Sequence, residues 1–411
     1  MRTGALNLFG RVLPRGDNWK LVAAGLLIAS AILHFQSAQF TGNLLDFGSF
    51  WESGRAVNDG NNPYGIYPRT HRPIEPPYAN PNLNPPISLL LFAPLSRLDP
   101  QVGFIALWWA GLGVFIGLLF FLAWRYRSSD SPLLAAWTLS LPAMWSSLSL
   151  GQIYVFLLIP AVAGWVLMER ARPLAAGLAI GLLGAFKPNM LIWPALLFLA
   201  GHRREAISAA ISFVGFSLLP LFFFGPDVYA QWFDTLVTDD PVRRSHFVNA
   251  SLSGVTTRLG ISSVGIAVAA AILLLAAVFA FLRGPGKIET SAFAIALGTV
   301  ASPLAWFHYL LFLLPALWST DRWRIASVIA CAMMAVPIGV VGWSGVELAE
   351  QLPAAGWISG LTMQSFYSWT ALLLAVGLAQ NFVNAGPSHP NQDVVPAGMA
   401  TSSESERNSS V

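Results

Sequence analysis

Charge is scarce in this chain: Lys, Arg, Asp and Glu make up 10% of its 411 residues, whereas hydrophobic residues make up 55%. So little charge excludes an ordinary soluble protein. Cysteine is nearly absent. The single Cys331 lies inside an apolar run, so no disulfide can form within the chain. Missing as well are HExxH, CxxC, GxSxG, Walker-loop and EF-hand patterns, which leaves metalloprotease, serine hydrolase and nucleotide hydrolase readings without support. No internal repeat of the transporter kind is found. The net charge of +3 carries no message about nucleic acid here; the placement of the positive residues does.

Apolar runs of membrane length recur from end to end, without the alternation that marks barrel strands. Only helices or closed barrels satisfy the backbone in lipid, so helices are expected. The first run, 19–35, lacks a small-residue cleavage site after it and is read as a retained span. Further candidate spans are 102–124, 133–149, 153–168, 174–186, 188–200, 206–224, 262–282, 289–304, 309–320, 324–343 and 365–383. The expected fold class is an all-α polytopic integral membrane protein with about twelve transmembrane helices. One transmembrane domain is expected over 1–385, followed by a disordered cytoplasmic tail over 386–411, rich in Ser, Asn and Pro. With the short runs counted as spans, Arg11 and Arg15, Arg125 and Arg127, Arg170 and Arg172, Arg203 and Arg204, Arg283 and Lys287, and Arg322 and Arg324 all fall on one side. The positive-inside rule makes that side the cytoplasm, with both termini on it.

Two long loops then face outward, about 36–100 and 225–260. Loops of such length usually carry function. The first holds Asp46 in LLDFGSFWESGR, with Phe47, Phe50 and Trp51 around it, and ends in an apolar stretch, Ile87 to Leu98, read as a helix along the membrane face. A carboxylate set among aromatics at a membrane face is costly, so it is more often functional than structural; a capping or ion-paired Asp is the plain competitor. Other polar residues stand at the same ends of the spans: Gln152 after Gly151, Lys187 before Pro188, Asn249 and Ser251 before Arg258, and His308 and Tyr309 after Ser302 and Pro303. Each has an ordinary alternative. Lys187 can snorkel, Arg258 can anchor a helix end, His308 and Tyr309 can belong to an aromatic belt, and Gln152 and Asn249 can satisfy helix termini. Asn249 also opens a glycosylation sequon, a weak pattern.

An outward cavity with one carboxylate and several cations suits one task well. Arg and Lys clamp a phosphate, and a carboxylate accepts a proton from an attacking hydroxyl. That is group transfer from a lipid phosphate to an alcohol, with no soluble nucleotide.

At these residues the chain resembles the polyprenol-phosphate-dependent glycosyltransferases of the GT-C type, specifically glycosyltransferase family 87, which includes mannosyltransferases that elongate phosphatidylinositol mannosides. The resemblance runs from about Leu44 to Trp318. It rests on the DFxxFW start at Asp46, the Gly60…Pro63-Tyr64 turn, the Pro85-Pro86 element with its apolar sequel to Pro94-Leu95, and Gly151-Gln152. It continues through Ala176-Gly177 to Lys187-Pro188, Asn249-x-Ser251…Arg258, and Ser302-Pro303…Trp306-x-His308-Tyr309. One position departs: Asn84 stands where the family often has Tyr.

The resemblance implies a GT-C-like helical bundle whose cavity opens to the periplasm or cell exterior. It implies Asp46 as general base, and an inverting transfer of a sugar, mannose foremost, from a polyprenyl-phosphate donor to an acceptor hydroxyl. On this reading Lys187 and Arg258 meet the donor phosphate with His308 nearby, and Arg55, Gln152, Asn249 and Tyr309 support donor or acceptor. The partners are the lipid-linked donor, a glycolipid or polysaccharide acceptor and membrane lipid, with no nucleic acid. No cofactor is expected, although Asp46 with Glu52 or with Asp239 and Asp240 offers a divalent ion a place. Two rival classes remain: a transporter or flippase of lipid-linked sugars, and a surface-polysaccharide polymerase or ligase.

Overall fold

A computed structural model describes residues 18–38, 44–72, 78–126, 128–238, 241–351 and 356–385. The tail 386–411, the basic residues Arg11, Arg15 and Arg127, and the pair Asp239 and Asp240 therefore lie outside the described residues.

The chain runs as α1 (Asn18–Ser37), α2 (Leu45–Asn58), a hairpin of β1 (His71–Arg72) and β2 (Tyr78–Ala79), a 3-10 turn Pro86–Ser88 and α3 (Leu89–Leu95). Next come α4 (Pro100–Arg125), α5 (Ser131–Leu139), α6 (Pro142–Ser149), α7 (Tyr154–Glu169) and α8 (Pro173–Phe186). A 3-10 turn Pro188–Leu191 leads into α9 (Ile192–Leu199), followed by α10 (Arg203–Phe224), α11 (Asp227–Val237), α12 (Pro241–Ser245), α13 (Leu252–Arg258), α14 (Ser262–Arg283) and α15 (Lys287–Val300). A 3-10 stretch Phe307–Leu313 opens into α16 (Leu314–Ser319). The chain then closes with α17 (Ile325–Met334), α18 (Ile338–Gln351), α19 (Gly356–Leu361) and α20 (Phe366–Val383). The architecture is helical, with one two-residue ladder in the first loop.

Five helices among the described residues are long and apolar enough to cross a membrane: Trp19–Ser37, Pro100–Arg125, Arg203–Phe224, Ser262–Arg283 and Trp357–Val383. A sixth crossing results if α17 and the start of α18 count together, but they bend by 89° at their junction. The expected count of about twelve is thus not met by length. Two expected spans are broken, 324–343 at that bend and 133–149 at the Ser140-Leu141-Pro142 step between α5 and α6. Helices such as Tyr154–Glu169 and Pro173–Phe186 are apolar but short. At 1.5 Å per residue they reach at most about 24 Å, less than a bilayer's hydrocarbon thickness.

Their place explains their length. The short helices form the inside of the bundle, where Val155, Trp165, Ile180, Leu183, Trp193 and Leu197 are buried. Of the long ones, α1, α10 and α14 are the least buried and turn Leu26, Ile211, Phe222, Leu274 and Phe281 outward. A helix surrounded by other helices need not match the bilayer.

α8 and α10 meet through a Gly177-x-x-x-Gly181 pair. A Cβ on Gly181 would lie 2.4 Å from the Ala209 carbonyl oxygen, and one on Gly177 would lie 2.5 Å from that of Glu205. Small residues at this spacing let helix backbones approach in lipid. Gly181→Leu must therefore push α8 off α10, at a cost of about 3 kcal/mol. The expected result is a lower unfolding midpoint in detergent; an unchanged midpoint would refute the close approach.

At one end of the bundle the turns are tied pairwise. Lys20 pairs with Asp130 at 2.9 Å, Arg125 with Glu169 at 3.0 Å, the His202 ring with the Pro285 carbonyl at 2.9 Å, and Arg324 with Asn381 at 2.8 Å. At the opposite end the two long loops fold into helices that pack on each other. Trp232 donates to the Leu83 carbonyl at 3.1 Å, Tyr64 to the Asn84 carbonyl at 3.1 Å, and Val228 packs with Tyr64 and Leu89. Ile87 to Leu98 forms its expected helix only as far as Leu95, with Leu89 and Phe92 wholly buried.

Candidate active site

Asp46 lies in the first turn of α2 and is 9% exposed. Its carboxylate takes one side-chain amide on each oxygen: Asn80 Nδ2 donates to Oδ1 at 3.0 Å and Gln152 Nε2 to Oδ2 at 2.6 Å. The position at a helix N-terminus favours the negative charge further. Gln152 reaches it because the α6–α7 turn comes close to α2, where the Phe47 N–H donates to the Leu150 carbonyl at 3.0 Å. Gly151 makes that contact possible. It has φ +65°, and a Cβ there would sit 2.7 Å from the Phe47 Cβ, so an L side chain is excluded on both counts. Asn80 is held from two sides. Its N–H donates to the Thr70 carbonyl at 2.7 Å and its own carbonyl accepts the Ser49 hydroxyl. Beside it, Arg243 donates to the Ala79 carbonyl at 2.8 Å.

Lys187 occupies the break between α8 and α9, in a non-helical conformation (φ −136°, ψ 84°). Pro188 enforces this, since the residue before proline is pushed out of the helical region. The ammonium is buried and donates to Asn84 Oδ1 at 2.9 Å. It lies 4.4 Å from the centre of the Tyr154 ring and 5.7 Å from that of Tyr309. Both faces are favourable for a cation. Tyr154 in turn stacks on His308 at 4.9 Å and meets Tyr309 edge-on at 5.2 Å. His308 Nε2 bonds the Ser146 hydroxyl at 3.2 Å, while its buried Nδ1 has no hydrogen-bond partner. No carboxylate lies within ion-pair distance of Lys187 among the described residues. A buried ammonium without a counter-ion is poised to take an anion.

Two short segments join the carboxylate to the ammonium. Residues 80–84 carry Asn80 to Asp46 and Asn84 to Lys187; residues 152–154 carry Gln152 to Asp46 and Tyr154 to Lys187. The carboxylate and the ammonium are thereby anchored on the same two segments.

Arg258 and Asn249 form an adjoining knot. Arg258 donates to Ser365 Oγ at 3.1 Å, Ser368 Oγ at 2.8 Å, and the carbonyls of His246 at 2.9 Å and Asn249 at 3.5 Å. Burial pushes its pKa down to about 10, which leaves it charged at neutral pH. The buried Asn249 accepts from the backbone N–H groups of Ser251 at 3.2 Å and Ala305 at 3.1 Å, and donates to the Arg244 carbonyl at 2.9 Å. Backbone bonds from Ala250 to Ala305 and from Phe307 to Val248 complete the tie that positions His308. Arg55 stands apart, in the last turn of α2, paired with Glu52 at 2.8 Å.

The structure thus brings Asp46, Gln152, Lys187, His308 and Tyr309 into one cluster, sets Arg258 and Asn249 beside it, and leaves Arg55 at the rim. Asn80, Tyr154 and Ser146 are members that sequence reasoning missed. Nothing distinguishes them from loop amides and core aromatics before the fold is known. Asn84 was singled out only as a departure. Among the described residues no three His, Cys, Asp or Glu side chains approach closely enough to share a metal ion.

Several helices long and apolar enough to cross a bilayer define a multi-pass membrane protein. The model of glycosyltransferase family 87 matches residues 82–305, more than half of the chain, and the chain belongs to that family. The match includes Gln152, Lys187, Asn249 and Arg258; Asp46 and Arg55 precede it and His308 and Tyr309 follow it, so it is narrower than the stretch from Leu44 to Trp318 expected from motifs. The chain is also 25% identical over 364 residues to the polyprenol-phosphate-mannose-dependent alpha-(1-2)-phosphatidylinositol mannoside mannosyltransferase of Mycobacterium tuberculosis, covering 81% of this chain and 84% of that protein. No solved structure matches the chain.

Proposed function

We propose that the protein transfers mannose from a polyprenyl-phosphate donor to an acceptor hydroxyl on the extracytoplasmic face, with inversion at the anomeric carbon. The observation that carries this reading is the joint anchoring of an Asp46 carboxylate and a buried Lys187 ammonium on the same two segments. The dependence of the Mycobacterium relative on polyprenol-phosphate-mannose supports the donor. The tied, Arg-rich turns at the other end of the bundle support a cytoplasmic location for that end.

In the reaction, Asp46 takes the proton of the acceptor hydroxyl as its oxygen bonds the anomeric carbon. The bond from that carbon to the phosphate oxygen breaks, and polyprenyl phosphate leaves with the electron pair. Lys187 meets the growing charge on the phosphate, and a fixed cation in a dry site is most effective at such a point. His308, stacked on Tyr154, lines the same place. Four of the five N–H donors of Arg258 are taken by serines and carbonyls, so it holds the 246–249 segment and adds positive potential beside the phosphate. Asn80 and Gln152 aim the carboxylate.

The test uses purified protein in nanodiscs with short-chain polyprenyl-phosphate mannose and a mixed membrane-lipid extract. Polyprenyl phosphate release is followed by mass spectrometry, and the anomeric configuration of the product by NMR. Release with an inverted anomer is expected. A retained anomer would remove the single-displacement mechanism, and an intact donor would remove the transferase reading with mannose.

A further inference from the structure

Two buried asparagines form a hydrogen-bonded chain that ends on Lys187. Asn82 is 1% exposed and Asn84 6%. Asn82 Oδ1 accepts twice from Asn84, from its backbone N–H at 2.9 Å and from its Nδ2 at 3.0 Å. Asn84 Oδ1 in turn accepts the Lys187 ammonium at 2.9 Å.

The two ends of this chain decide which way each amide faces. A backbone N–H and an ammonium only donate, so each must meet an amide oxygen. The Asn84 N–H therefore assigns Oδ1 of Asn82, and that oxygen together with Lys187 assigns both polar atoms of the Asn84 amide. The backbone between them is held as well. Trp232 donates to the Leu83 carbonyl and Tyr64 to the Asn84 carbonyl, both at 3.1 Å. What freedom Asn84 retains is rotation of its side chain, and the bond from Nδ2 to Asn82 removes it.

The arrangement has a cost. Asn82 Nδ2 is buried and has no hydrogen-bond partner among the described residues. A buried donor left over lowers stability. A turn in which Asn82 caps the N–H two residues on accounts for one of its bonds. It accounts neither for the second bond, to the Asn84 amide, nor for the unused donor.

We propose that Asn82 is a positioning residue for the transfer: it holds the Asn84 amide rigid, so that Asn84 Oδ1 sets the direction of the Lys187 ammonium. An ammonium has three N–H donors. With one aimed at Asn84, and the Tyr154 and Tyr309 rings 4.4 and 5.7 Å away, the other two have a set direction before the donor arrives. A cation so fixed need not reorient as charge grows on the leaving phosphate. The proposal rests on the transferase reading above, with Lys187 as the group that meets that phosphate.

The test compares wild type, Asn82→Leu and Asn82→Ser in nanodiscs, each also in the Lys187→Met background. Leucine removes both bonds to Asn84. Serine, one atom shorter, keeps the turn to the Asn84 N–H and gives up the amide. In Asn82→Leu, kcat is expected to fall about tenfold with the donor KM constant, as for a group that acts in the transition state. Asn82→Ser is expected to keep the wild-type unfolding midpoint and still lose about fivefold in kcat, so it decides the matter if the leucine variant folds poorly. In the Lys187→Met background either substitution should change kcat by less than about twofold, because the group it positions is gone. An undiminished loss in that background would overturn the proposal. So would a loss confined to KM, or wild-type kcat in Asn82→Ser. Calorimetric titration with short-chain polyprenyl phosphate reads the ammonium without turnover. Binding about tenfold weaker in Asn82→Leu supports the positioning role, and equal binding refutes it. A wild type that binds polyprenyl phosphate more tightly than Asn82→Leu yet consumes no donor would refute the transferase reading alone.

Discussion

Asp46→Asn is expected to lower kcat/KM for sugar transfer about a thousandfold, within the range that a positioned general base supplies. The substitution keeps the shape of the side chain and removes its capacity to hold the acceptor's proton. It also sets an amide against two amide donors, Asn80 Nδ2 and Gln152 Nε2. One of those bonds must then be lost, at about 1–2 kcal/mol. A drop in unfolding midpoint of that size is compatible with the role, whereas aggregation would not separate chemistry from folding. Asn80→Ala and Gln152→Ala provide the control, because each leaves the carboxylate in place but frees one oxygen. Each should lose about tenfold in kcat with little change in donor KM, the mark of a positioning residue. If Asp46→Asn keeps more than a tenth of wild-type turnover while remaining folded, the base lies elsewhere.

The residues that frame this prediction differed in how legible they were. Asp46, Gln152, Lys187 and His308 stood out because each is polar in an apolar stretch, where the cost of desolvation makes an accidental occurrence rare. The same rule pointed at Arg258, whose partners Ser365 and Ser368 come from more than a hundred residues away. Sequence cannot show that hydroxyls so distant along the chain take up part of its guanidinium. Asn80 escaped notice because a loop asparagine carries no penalty that would mark it.

The count of about twelve spans rests on hydropathy, which has related limits. Hydropathy reports that α7 and α8 avoid water, but it does not report that one side of each packs against other helices. Nor does it register the 89° bend after Met334, or the Gly177–Gly181 contact that lets α8 lie against α10. The division into a basic end and an end with long loops was readable, because charge at helix termini is a local property. The convergence of the long loops over the site was not. It depends on tertiary bonds such as Trp232 to Leu83.

Lys187→Met gives the second large effect, and its sign on stability is as informative as its sign on rate. Methionine has nearly the length of lysine without the charge, and its thioether packs well against aromatic rings such as Tyr154 and Tyr309. A buried ammonium held by one neutral amide, Asn84, and by the faces of Tyr154 and Tyr309 sets those contacts against its cost of desolvation and contributes little net to folding. Its removal leaves only Asn84 Oδ1 without a donor, worth about 1–3 kcal/mol in the opposite direction. The unfolding midpoint is therefore expected to stay nearly constant. The rate is not. Loss of the cation that meets the leaving phosphate should lower kcat about a hundred- to a thousandfold, the range seen when one preorganised group is withdrawn from developing charge. Product affinity should fall in parallel, because polyprenyl phosphate carries the charge that Lys187 is placed to meet. Inhibition of wild type and variant by added polyprenyl phosphate measures this directly. Lys187→Arg should not rescue the rate, since a planar fork cannot replace a point charge seated 4.4 Å above the Tyr154 ring. A Lys187→Met protein that unfolds readily but turns over normally would make the lysine a structural pin. The phosphate would then have to be met by Arg258, whose bonds to Ser365 and Ser368 must first open.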